Sequence, residues 1–230
     1  MAVSDNVRLV RDEIGEACRR AGRDTNEVRL MAVSKFNELP LIEEAAAAGV
    51  RLFGESRVQE AVRKFTGFRE RMPGVELHLI GRLQRNKARV AAGFFDCVES
   101  LDRVELVQEL GRIALERTAV LPVLFELNSG EESKSGFRDE DALCAGVEAA
   151  LAFGGLLPSG LMTMAPFTDD EKPVRDAFRR LVKAQTRLRR SFPECGWDCL
   201  SMGMSGDFRI AIEEGSTLVR IGTAIFGGRQ

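Results

Sequence analysis

The 230-residue chain has no uninterrupted apolar run long enough to cross a bilayer or to form the core of a signal peptide. Its opening, MAVSDNVRLVRDEIGEACRR, interleaves charged with apolar residues. An excess of charge is also missing. With 33 basic against 35 acidic side chains the net is −2, so neither nucleic acid nor an anionic membrane has a bulk electrostatic reason to bind. No Ser/Gly/Pro-rich linker, low-complexity tract or block of like charge marks a boundary, and a single domain over residues 1–230 is expected. The five cysteines (Cys18, Cys97, Cys144, Cys195, Cys199) are scattered and odd in number, which fits a reducing, cytoplasmic compartment and not a disulfide framework. Cys195 and Cys199 are spaced CxxxC, but no companion Cys or His cluster supports a zinc site.

What the chain does have is alternation: short apolar runs separated by amphipathic stretches. The pattern predicts eight strands, at Arg29–Ser34, Arg51–Gly54, Glu76–Ile80, Asp96–Glu99, Pro122–Asn128, Ser159–Met164, Asp198–Met202 and Thr217–Ile221. Helices are predicted at Leu39–Ala48, Arg57–Glu70, Gln84–Ala92, Arg103–Glu116, Asp139–Ala152, Lys172–Arg190 and Asp207–Glu214. A further helix, Ser4–Ala21, precedes the first strand, with Ser4 as its cap and Leu9, Ile14 and Ala17 on its apolar face. Strand–helix alternation demands a parallel sheet with right-handed crossovers. Eight uninterrupted strands favour an α/β fold closed as a (β/α)8 TIM barrel over an open doubly wound sheet.

Functional groups of such a barrel collect at the C-terminal ends of its strands. Lys35 ends the first apolar run, and alternation puts it on the face of Met31 and Val33. If that face points inward, low-dielectric surroundings and neighbouring cations would lower the amine's pKa and prepare it for Schiff-base formation. The alternative is a lysine that snorkels outward. In the last strand, Leu218, Arg220 and Gly222 share one face while Val219 and Ile221 take the other. Barrel closure would bring Arg220 beside Lys35, and a guanidinium there needs a partner. Gly222 and Thr223 then offer main-chain N–H groups and a hydroxyl to a phosphate, unless Arg220 is merely an arginine paired to a core carboxylate beside a turn glycine. Ser201-Met202-Gly203-Met204-Ser205 forms a second small polar turn opening a helix at Gly206-Asp207, which would either complete the cradle or only cap that helix. His78, the single histidine, sits within a strand and is expected to be a satisfied core residue. Lys134 and Lys87 lie in basic loop segments that could gather an anion, although solvated charge is their default.

These segments together resemble the pyridoxal phosphate homeostasis protein family, whose barrel is similar to the N-terminal domain of alanine racemases. The motifs run in order through nearly the whole chain: AVSK at Ala32–Lys35, FGE at Phe53–Glu55, VQE at Val58–Glu60, HLIG at His78–Gly81 and LQRNK at Leu83–Lys87. They continue with SKSG at Ser133–Gly136, GLMTM at Gly160–Met164, LSMGMS at Leu200–Ser205 and GSTLVRIGTAIFG at Gly215–Gly227. The resemblance implies pyridoxal 5′-phosphate (PLP) held as a covalent aldimine to Lys35. It further implies Arg220 facing the pyridine nitrogen, and Ser201, Ser205, Gly222 and Thr223 holding the phosphate. Two departures stand out: Ser56 follows FGE where the family usually has Asn, and Arg82 follows HLIG where Pro is frequent.

The implied role is a carrier or buffer of PLP that maintains intracellular vitamin B6 and amino-acid pools. It would be monomeric and could serve apo PLP-dependent enzymes as recipients, with neither nucleic acid nor membrane as partner. The rival is a PLP-dependent amino-acid racemase. Against it, that class draws a proton-transferring tyrosine from a second domain, whereas this chain has no tyrosine and no residues left for one. A permanently protonated arginine also leaves the pyridine nitrogen unprotonated, making the ring a poorer electron sink. A barrel enzyme acting on a phosphorylated sugar without PLP is a third expectation.

Overall fold

The computed structural model describes residues 2–130 and 135–228 of the chain. Eight parallel strands close into a barrel in sequence order. They are β1 (Arg29–Val33), β2 (Leu52–Glu55), β3 (Glu76–Leu79), β4 (Cys97–Leu101), β5 (Leu121–Glu126), β6 (Leu156–Met162), β7 (Cys199–Ser201) and β8 (Leu218–Ile221). Closure is made by β1 against β8, where Met31 is in register with Arg220 and Ala32 with Ile221.

Side chains alternate across the barrel wall. Ala32, Phe53, Val219 and Ile221 join the large apolar cluster between strands and helices, while Met31, Leu52 and Leu218 form a small one inside. The predicted split of β8 therefore holds. The outer layer comprises α2 (Leu39–Ala47), α3 (Val58–Phe65), α4 (Phe68–Arg71), α5 (Ala88–Phe94), α6 (Val104–Glu116), α7 (Glu140–Leu151), α8 (Glu171–Ser191) and α9 (Phe208–Glu213).

The helix before the barrel, α1 (Val3–Ala21), buries Val3, Val7, Val10, Ile14, Ala17 and Cys18, a spacing of three and four residues that makes one apolar stripe. It packs on α2, α9 and α10 (Thr223–Phe226). Since α10 is only four residues long, α1 covers the seam where a full helix after β8 would otherwise lie.

Several expected boundaries move. Ala2, not Ser4, precedes the first turn of α1, and no side chain caps it; the Ser4 N–H instead meets Glu44 Oε1 at 3.0 Å. Leu9 is 44% exposed, because the stripe runs through Val7 and Val10 and turns position 9 to solvent. The single helix expected at Arg57–Glu70 is two, broken where Thr66 is extended and Gly67 takes φ +74°. The short α10 was not anticipated, and β6 starts three residues before the expected Ser159, at Leu156.

Candidate functional site

Lys35, Ser205, Arg220, Gly222 and Thr223 line one cavity of about 480 Å³ at the C-terminal mouth of the barrel, a size usual for small-molecule sites. Val33, Met162 and Met164 give it an apolar wall, and Glu126, Arg82, Ser56 and Asp207 give it polar groups. Lys35 thus lies on the inward side with Val33, not on the helix side.

The Lys35 loop is held from behind by α3 and the end of β2. Lys64 Nζ donates to the carbonyl oxygens of Ser34 (2.8 Å) and Asn37 (3.3 Å) and pairs with Glu55 (2.5 Å) and Glu60 (3.0 Å). The Ser34 hydroxyl donates to Glu55 Oε1 at 2.7 Å, and the Phe36 N–H to Glu60 Oε1 at 2.8 Å. That last bond fixes Phe36 at φ +65°, a left-handed conformation that a bulky side chain adopts at a cost. Burial pushes the Glu55 carboxyl up, while the Lys64 ammonium and the Ser34 hydroxyl pull it back.

Arg220 is 4% exposed. Its Nη1 donates to the main-chain oxygen (2.6 Å) and hydroxyl (2.7 Å) of Ser201, and its Nη2 to the Thr163 carbonyl (2.8 Å). Ser201 in turn donates to Glu99 Oε2 at 2.5 Å. Its hydroxyl proton is committed to that carboxylate within a fully buried setting, and Ser201 is absent from the cavity lining. Ser201, expected at the phosphate, thus ends β7 with its side chain directed into the barrel, below the residues that line the cavity. Ser205 sits at the rim, its hydroxyl accepting from the Ala224 N–H at 3.3 Å. The chain reaches Ser205 through Gly203 at φ +98°, where a Cβ would stand 2.6 Å from that of Ala211.

His78 is a satisfied core residue as expected. Its Nδ1 lies 2.6 Å from Glu99 Oε1, and its Nε2 lies 3.7 Å from Glu76 Oε2. Burial opposes its charge, but the pull of the Glu76 and Glu99 carboxylates wins and raises its pKa to about 9. The same contact with His78, aided by Arg29, lowers Glu76 to about 2. Burial raises the thiol of Cys97, and that of Cys199 to about 12, keeping both protonated in the barrel interior. Among the described residues no group of His, Cys, Asp and Glu is arranged to hold a metal. No helix among them is long and apolar enough to cross a membrane.

The two departures both face the cavity. Arg82 Nε lies 3.4 Å from the Asp102 carboxylate, which also pairs with Arg103. Ser56 packs so closely that a Cβ on Gly81 would meet its carbonyl oxygen at 2.3 Å. Lys87 lines a neighbouring recess with Arg57, Arg82 and Gln84, and Lys134 lies outside the described residues. Sequence reasoning missed Glu99 and Glu126. Each is the one charged residue of its strand, CVESL and LPVLFE, and that isolation was the available signal.

A family model described as "Alanine racemase, N-terminal domain" matches residues 7–230. The pyridoxal phosphate homeostasis protein of Haemophilus influenzae is 39% identical over 231 residues, covering 100% of this chain and 97% of the relative. A crystal structure of an unknown protein from Bifidobacterium adolescentis superposes with a TM-score of 0.92 at 38% identity, over 98% of this chain and 94% of the other. PipY of Synechococcus elongatus PCC7942, solved with PLP bound, gives a TM-score of 0.81 at 34% identity, over 93% of this chain and all of PipY. Full-length identity at this level, on a barrel with an inward lysine and arginine at its closing seam, means that the chain belongs to the pyridoxal phosphate homeostasis protein family.

Proposed function

We propose that the chain binds PLP through a Schiff base to Lys35 and serves as a carrier or buffer of that cofactor, in support of intracellular vitamin B6 and amino-acid balance. The observation that carries this reading is the convergence of an amine, a guanidinium and a hydroxyl-bearing rim on one cavity. The donor set fits the molecule: Lys35 for the aldehyde, Arg220 for the ring nitrogen, and Ser205, Gly222 and Thr223 for the phosphate. PLP bound to PipY supports the assignment by family.

When bound, the cofactor supplies an electrophilic aldehyde and a conjugated ring. Arg220 would donate a hydrogen bond to the ring nitrogen without giving up its proton, which leaves the ring a weak electron sink. Reversible capture and release is thereby favoured over carbanion chemistry. The apolar wall of Val33, Met162 and Met164 would exclude water around the ring. The carrier would act in the cytoplasm as a monomer, handing PLP to apo enzymes.

The test is spectroscopic. Purified protein reconstituted with PLP should absorb in the near-visible, and Lys35→Ala should lose both that band and borohydride-trapped cofactor. Incubation with an apo PLP enzyme should restore the recipient's activity. Amino-acid turnover by pure protein, abolished by the same substitution, would establish the racemase instead. A protein left unchanged by PLP would point to a phosphorylated-sugar barrel.

A further inference from the structure

A guanidinium buried this deeply needs a compensating charge, yet Arg220's three hydrogen bonds go to two carbonyls and one hydroxyl. The charge comes from Glu99, one hydroxyl away, through Ser201. Beyond Glu99 a column of alternating charge descends the barrel: His78 at 2.6 Å, Glu76 a further 3.7 Å on, and Arg29 at 2.7 Å from Glu76. These groups stand on β1, β3, β4 and β8; Asp207 at the cavity rim and the buried Glu126 of β5 add smaller contributions to the charge felt by the guanidinium, after Glu99.

The indirect link is informative. A carboxylate in direct contact would take the forked edge of the arginine bidentately and turn it from the cavity. Interposing Ser201 compensates the charge from below and leaves the upper edge toward the ligand. We infer that Glu99, acting through Ser201, is the positioning group that holds Arg220 toward the pyridine nitrogen. This rests on the PLP reading above, and it gives Ser201 a role different from phosphate binding.

The experiment compares PLP with its deaza analogue, in which carbon replaces the pyridine nitrogen, by absorbance titration of the wild type, Ser201→Ala and Glu99→Gln. Thermal melts check folding, and Ser201→Cys, similar in size but a weak hydrogen-bond partner, replaces any variant that does not fold. Both substitutions should weaken PLP binding about tenfold, the worth of one good hydrogen bond, and leave the analogue within about twofold. Equal losses for the two ligands, as phosphate binding by Ser201 would give, overturn the inference, and so does unchanged PLP affinity. A wild-type chain that forms no adduct with either aldehyde overturns the PLP reading itself, and the positioning role with it.

Discussion

The Lys64 ammonium lies 2.5 Å from the Glu55 carboxylate, with 6% and 0% of the two side chains exposed. This buried pair ties α3 to the end of β2 and, through the carbonyls of Ser34 and Asn37, to the loop that presents Lys35.

Removing one partner strands the other. Lys64→Met should cost about 3–5 kcal/mol in urea unfolding, because Glu55 stays buried without its cation. The double variant Lys64→Met/Glu55→Leu should recover most of that loss. Equal destabilisation of single and double variants would argue against the pair as the cause.

The single histidine gives a clean titration. His78 has a folded pKa of about 9 against 6.5 when unperturbed. A raised pKa means the folded chain holds the proton more tightly, so the stabilisation is complete below about pH 6.5 and is lost as pH rises through 9. It amounts to about 3 kcal/mol. The imidazole resonance should titrate near pH 9, and His78→Gln should be less stable at pH 6 and lack the alkaline decline. A resonance titrating near 6.5 would refute this.

Phe53, Phe65 and Phe68 meet with ring centroids 5.5–6.3 Å apart behind the Lys35 loop. Phe53→Ala should cost about 3–5 kcal/mol by opening a cavity there. Calorimetry would check it, and a much smaller loss would mean that α3 collapses into the space.

Gly81→Ala places a methyl group against the main chain of Ser56, with 2.3 Å between Cβ and carbonyl oxygen. The loops after β2 and β3 must part, at about 1–3 kcal/mol, and the cavity rim widens with them. Weaker PLP uptake together with a lower melting temperature is expected; an unchanged melt would show that the loops separate freely.

The barrel was legible because its outer face is apolar and its strands recur with regular helical spacers, and Lys35 and Arg220 stood out as long cations at strand positions. The different placements of Ser201 and Ser205 were not legible, for a physical reason. Sequence places both in the same small polar turn, but the end of β7 separates them, one facing Glu99 and the other the cavity. The break at Gly67 was hidden because apolar residues continue on both sides of it. Glu99 and Glu126 were passed over because a single acid within a strand carries no motif.

The period-two arrangement of β8 divides labour residue by residue. Val219 and Ile221 press on helices, whereas Leu218 and Arg220 look inward. A saturation scan along this strand should therefore alternate in kind as well as in severity. Variants at 219 and 221 would be lost to misfolding and proteolysis, whereas those at 220 would accumulate as protein that takes up PLP more weakly. Evolution could retune the ligand through position 220 while the shell that keeps the barrel standing stayed untouched.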